Sequence, residues 1–214
     1  MKSKVLPLLL VAMSFSSVAE EFVASYEGFY DRLKVVEKGS FEFARVNFYL
    51  VEGESKQPCE IADGKIVTEQ STIPLQYTDN AQLMLPVNEK LDKDKAVVVV
   101  TPKTAQYCEI KIQIESAHFT NQELSKRKIY QLHHEFESLL SDLSGVFVGK
   151  LLSFMLPEQK GVTLEFVSSV DLSAKHVSCE KNRCRFEVQD NWENDNGKFN
   201  VLTELVSAKP WIVK

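Results

Sequence analysis

The sequence predicts an α+β protein: an antiparallel β-sandwich, then one long helix, then a C-terminal antiparallel hairpin region. Three observations carry that prediction. Between residues 41 and 116, apolar and polar side chains alternate in short runs, the period-2 mark of half-buried strands. Across residues 120–156, Ile129, Leu132, Phe136, Leu139, Leu143 and Val146 fall three and four apart, which lays one apolar stripe along a helix. Beyond it, turn residues and a close cysteine pair punctuate a second strand-rich stretch.

Taken in order, residues 1–19 read as a signal peptide. Lys2 and Lys4 form a positive n-region, residues 5–13 an apolar h-region too short to span a bilayer, and Ser17-Val18-Ala19 a small-residue cleavage site. Cleavage after Ala19 delivers a periplasmic protein. The lack of any Asn-x-Ser/Thr sequon points the same way. No later apolar stretch reaches spanning length, so no integral membrane segment is expected after cleavage. The net charge of −5 becomes −7 once Lys2 and Lys4 are removed, which argues against nucleic acid or an anionic membrane as partner.

The remaining segments divide as 20–118, an N-terminal helix plus the β-sandwich; 119–160, the long helical segment; and 161–214, C-terminal hairpins packed with that helix. Ser25 caps a first helix whose one face carries Tyr26, Phe29, Tyr30, Leu33 and Val36, with Gly39 closing it. Strands follow at residues 46–50, at 59–61 and 65–68 around an Asp63-Gly64 hairpin turn, at 73–77 with Pro74 on an edge, and at 82–86. Residues 88–95 form a solvated connection. Val97, Val98, Val99 and Val100 in succession mark a strand covered on both faces, and Cys108 alternates inward with Ile110, Ile112 and Ile114. Seven short strands with a buried cysteine towards each end suggest a sandwich of immunoglobulin-like or transthyretin-like type, without the tryptophan an antibody domain would carry between the cysteines.

The long helix opens on a capping box, Thr120 with Glu123, stapled by Phe119 and Leu124. Past Ser144-Gly145 it turns apolar nearly all round, and Pro157 and Gly161 end it. A strand at 162–166 and a hairpin through Cys179 and Cys184 follow. An Asn196-Gly197 turn then leads into residues 199–205, and Lys209-Pro210-Trp211-Ile212 docks as an edge segment.

Four cysteines in an exported chain read as two disulfides. Of three connectivities, local spacing selects Cys179–Cys184 at a hairpin base and Cys59–Cys108 across the N-terminal strands. In the chain-entropy view these contribute roughly 2 and roughly 4 kcal/mol.

Candidates for chemistry are few. The acidic run at residues 190–197 is rich enough in oxygen for calcium, but the EF-hand register fails: Trp192 falls at the first ligand place. His133 and His134 point about 100° apart on a helix, leaving His133 with Glu137 as a two-ligand fragment. Ser125 and Lys128 match Ser-x-x-Lys without the motifs that accompany it in penicillin-binding enzymes. No catalytic residue, metal ligand or cofactor is assigned. Tyr26, Phe29, Tyr30, Trp192 and Trp211 are the candidate recognition surface, with the core side of a helix as the competing role for the first three.

The aromatic Tyr26-Glu27-Gly28-Phe29-Tyr30 helix, the Pro58-Cys59-Glu60-Ile61 strand, Leu83-Met84-Leu85-Pro86, the run from Leu91 to the four valines, and the closing Lys209-Pro210-Trp211-Ile212 together resemble an uncharacterised family of exported bacterial proteins, a domain of unknown function. The resemblance implies export and brings no catalytic residue. The expected role is therefore non-enzymatic binding or envelope maintenance, with another envelope protein as partner. The alternatives are a carrier or sensor of an apolar small molecule, held between sheet and helix at residues 146–156, and a hydrolase or metal-dependent enzyme.

Overall fold

The computed structural model describes residues 20–105, 107–116, 124–148 and 158–213. It is an α+β fold of mostly antiparallel sheets and few helices. Twelve strands are β1 (Phe22–Ser25), β2 (Ala44–Glu52), β3 (Ile61–Val67), β4 (Thr72–Pro74), β5 (Gln76–Tyr77), β6 (Leu83–Met84), β7 (Val97–Pro102), β8 (Cys108–Ser116), β9 (Glu158–Phe166), β10 (Val177–Glu180), β11 (Arg183–Glu187) and β12 (Leu205–Val213). Among the described residues the α-helices are α1 (Tyr26–Lys38), α2 (Glu89–Lys93) and α3 (Lys126–Val148), with a 3-10 turn at Asp190–Asn194. Two four-stranded sheets run in the orders β1-β7-β3-β4 and β10-β11-β9-β12, beside the pairs β2-β8 and β5-β6. Among the described residues no sheet closes into a barrel.

The four-valine run becomes β7, flanked by β1 and β3, and Val98 and Val100 are fully buried. Covering both faces of a central strand is what a β-branched run suits. Helix α1 matches its expected bounds, with Ser25 and Gly39 at its ends. Its Tyr26 amide bonds the Ala96 carbonyl at 2.9 Å, and the Tyr26 hydroxyl donates to the Pro86 carbonyl.

Several local expectations fail. Asp63-Gly64 is no hairpin turn, because β3 runs straight through it: Asp63 pairs with Thr101 and Gly64 with Val100. Pairing with the buried β7, resumed after a register shift between Ile61 and Asp63, outweighs a local turn preference. The connection at residues 88–95 contains α2, capped by the Asn88 side chain accepting from the Lys90 and Leu91 amides. Cys108 is buried, but Ile112 on the same strand is 44 % exposed. Gly161 does not end a helix. It lies within β9, where a Cβ would collide with the Phe186 carbonyl of β11.

Helix α3 also begins later than its sequence suggests. The capping box at Thr120 and Glu123 lies outside the described residues, and the described helix starts at Lys126. Ser125 is its cap, accepting from the Lys128 amide at 3.3 Å. Glu135, off the apolar stripe, accepts from the Phe43 and Ala44 amides at 2.7 and 2.9 Å and so ties α3 to the start of β2.

One connected apolar core joins the N-terminal and C-terminal regions. It runs from Tyr26 and Phe29 of α1 through Phe48 and Leu50 of β2, to Leu132, Phe136 and Leu139 of α3, and on to Leu164, Phe166 and Phe186. The α3 stripe is thus the shared filling between β2-β8 and the C-terminal sheet, which α3 touches on both sides. The second half of the long stripe, with the cavity expected at residues 146–156, lies almost wholly outside the described residues.

Candidate functional site

A polar groove on β2 and β8

A groove of about 680 Å³ opens over the outward face of β2 and β8. Antiparallel pairing of Asn47 with Gln113 and Tyr49 with Lys111 puts these side chains on one face, together with Val51 and Glu115. Gln57 and Pro58 with Asn80 and Gln82 line one side, held to β2 by the bridges Val51–Pro58 and Tyr49–Gln82. The other side is Val206, Ser207 and Lys209 of β12 with Glu165 of β9. The groove therefore spans the seam where β8 abuts β12.

Glu115 is a buried carboxylate on its floor. Only 8 % exposed, it accepts through Oε1 from the Asn47 amide at 2.6 Å and from the Tyr49 hydroxyl. Burial, and then the hydrogen bond and negative charge of Glu115, push the Tyr49 phenol well above its ordinary range, so it stays protonated and donates. Among the described residues the Glu115 Oε2 accepts no hydrogen bond.

Glu165 has the opposite environment. Burial by itself would raise its carboxyl, but Lys209 at 2.8 Å, Arg183 at 2.6 and 3.1 Å and Ser207 at 2.9 Å outweigh it and hold the group to about 2. Three strands, β11, β9 and β12, are clasped by this one carboxylate. Lys56 is likewise engaged, 2.5 Å from Glu109. Lys111 has no ion pair among the described residues.

Where the expected site residues lie

Both disulfides are present, Cys59–Cys108 and Cys179–Cys184. The second joins directly paired residues of β10 and β11. Tyr26, Phe29 and Tyr30 are at most 5 % exposed and Trp192 is 3 % exposed, so their rings fill the core and cannot anchor a partner. The helical spacing that could have presented the first three instead turns them inward. Trp211 alone is part-exposed, on β12 with the Arg185 guanidinium 5.8 Å above its ring.

The acidic run at residues 190–197 serves the helix. Its Asp195 and Gly197 carbonyls accept from the Arg127 and Lys126 amides at 2.9 and 3.0 Å, occupying donors that the first turn of α3 leaves free. The Asp195 carboxylate pairs with Lys126 Nζ at 2.6 Å, near the positive end of the helix. So Asn196-Gly197 turns the chain onto α3 and not into a hairpin strand, while Trp192 packs 5.9 Å from Phe199.

Ser125, the Ser-x-x-Lys serine, is that helix's cap. His133 meets Gln159 at 2.9 Å, and its imidazole is pushed below its ordinary pKa by burial and by the neighbouring His134. His134 meets Glu137 at 3.2 Å. Among the described residues no group of three His, Cys, Asp or Glu is arranged to hold a metal ion, and no helix is long and apolar enough to cross a membrane.

The groove is not legible in any one stretch of sequence, because its residues come from six separate segments. Asn47, Tyr49, Lys111, Gln113 and Glu115 registered only as the solvent-facing half of an alternation. A trace was legible: glutamate, glutamine and lysine alternating with isoleucine must share a face.

Fold and groove together define a disulfide-braced α+β protein with a hydrogen-bonding cleft. A family model described as "Protein of unknown function (DUF2987)" matches residues 18–166, and the chain belongs to that family. That agrees with the uncharacterised family which the motifs resemble, although the match ends with β9, before β10, β11 and β12. No curated protein and no solved structure matches the chain.

Proposed function

We propose that this is an exported, non-enzymatic protein of the periplasm, matured by cleavage after Ala19, which binds its partner or ligand in the groove over β2 and β8. The observation that carries the reading is the groove itself: a cleft of ligand-sized volume, within the roughly 300–1,000 Å³ common for binding sites, with a fixed carboxylate on its floor. Two disulfides fit an oxidising compartment. The segments 20–118, 119–160 and 161–214 then serve as parts of one body, since their described residues share a core. The expected recognition surface moves with this reading. Trp211 keeps a role on the adjoining C-terminal sheet, while the four buried aromatics pass to the core.

Two measurements test it. Intact mass of the natively produced protein should begin at Glu20 and lack four hydrogens for its two disulfides; a chain retaining residues 1–19 with free thiols would overturn the export reading. A photo-crosslinker at Gln113 should give a specific adduct in the native envelope that excess unlabelled protein competes away. A labelling pattern no different from that of a crosslinker on the far side, at Glu37, would remove the groove from consideration.

A further inference from the structure

We infer that the groove over β2 and β8 is an oligosaccharide site, taking a neutral polyhydroxylated ligand; this rests on the reading of that groove as the binding surface.

The charge pattern selects the class. Of the charged groups lining the groove, Lys209 and Glu165 neutralise one another, and Lys56 is taken by Glu109. One anion and one cation remain, Glu115 and Lys111, four residues apart on β8, which is about 13 Å along a strand. A phosphate-rich ligand would face Glu115, and a polycation would face Lys111. A neutral ligand meets neither penalty.

The hydrogen-bonding groups select it again. Asn47, Gln57, Asn80, Gln82 and Gln113 bring five amides to one cleft. An amide both donates and accepts, as does a sugar hydroxyl; Asn47, Asn80 and Gln113 each spend one end on Glu115, Thr78 and the Ile114 carbonyl, which leaves the other end for a ligand. Among the described residues the Gln57 and Gln82 side chains make no hydrogen bond, and the Glu115 Oε2, which accepts none there, adds an acceptor for a ligand O–H. The acceptor is held in place by Tyr49 and Asn47, so little ordering is required when a ligand arrives. The Tyr49 ring with Pro58 and Val206 supplies the small apolar surfaces on which a sugar's C–H face rests. An apolar ligand would find too little of such surface.

The experiment is a titration of the ¹⁵N-labelled protein with cellotetraose, chitotetraose and maltotetraose, following the side-chain NH₂ signals of Asn47, Gln82 and Gln113. At least one sugar should shift these signals saturably with a Kd of about 0.1–1 mM. The Kd should rise about tenfold in Gln82→Ala and in Glu115→Gln. Gln82 is a surface side chain, and its variant should keep the parent Tm, which separates lost binding from lost folding. If none of the sugars moves the signals at about 10 mM, or if both variants bind as the parent does, the inference is overturned. Should trialanine shift the same signals where the sugars do not, the class is wrong while the groove remains a binding site.

Discussion

Replacing Glu165 by glutamine isolates the one carboxylate that clasps three strands. Its carboxyl is held to about 2 against an ordinary 4.5. At about 1.4 kcal/mol per pKa unit, that difference corresponds to about 3 kcal/mol. The side chain is 22 % exposed, and solvent screening trims the figure to about 2 kcal/mol. The sign follows from the depressed pKa. The contribution is fully present above pH 4.5, where Glu165 would be ionised even in the unfolded chain, and it is lost as pH falls towards 2. Urea unfolding of parent and Glu165→Gln between pH 7 and pH 2 measures it. At pH 7 the variant should be less stable by about 2 kcal/mol, and the gap should close progressively below pH 4.5. Arg183 and Lys209 are left facing a neutral amide, so a Tm decrease of about 4–8 °C should accompany the loss in a chain of this length. A gap that stays constant down to pH 2, or no gap at pH 7, would refute the reasoning, since either result means that the hydrogen bonds from Lys209, Arg183 and Ser207 do not favour the ionised form.

Other perturbations have equally definite outcomes. Removing the Cys59–Cys108 bridge by double alanine substitution frees a 49-residue separation and should cost about 4 kcal/mol in guanidinium unfolding. Removing Cys179–Cys184, with a separation of 5, should cost about 2 kcal/mol. Phe136→Ala empties a site in the shared core where the ring is 0 % exposed; a loss of about 3–5 kcal/mol is expected. By contrast, Leu202→Ser on a fully exposed leucine should stay within about 0.5 kcal/mol. Ser125→Ala takes away the cap of α3 and should lower stability by about 1 kcal/mol without altering the far-ultraviolet circular dichroism at 20 °C.

Much of the fold is written locally, because burying one face of an element imposes a period on its residues. The stripe from Ile129 to Leu143, the four valines of β7, the span of α1 and the hairpin closed by Cys179 and Cys184 all follow from spacing that one segment carries by itself. The candidate site is not written that way. Its floor takes alternate residues of β2 and β8, which are brought opposite one another by a register that neither strand encodes alone, and its sides come from β9, β12 and two connections.

The same division explains the misses. Asp63-Gly64 and Asn196-Gly197 have turn chemistry, yet β3 continues through the first because Thr101 and Val100 of β7 pair with both residues. The second is spent on the amides at the start of α3. By itself, the sequence determined the α+β class, the cysteine pairing, the α1 helix and the apolar side of α3. Only the tertiary structure decided that Tyr26, Phe29, Tyr30 and Trp192 face inward, that the acidic run caps a helix, and that Glu115 and Glu165 border one groove. Each of those depends on which distant segment arrives opposite a given residue, and one-dimensional spacing carries no record of that.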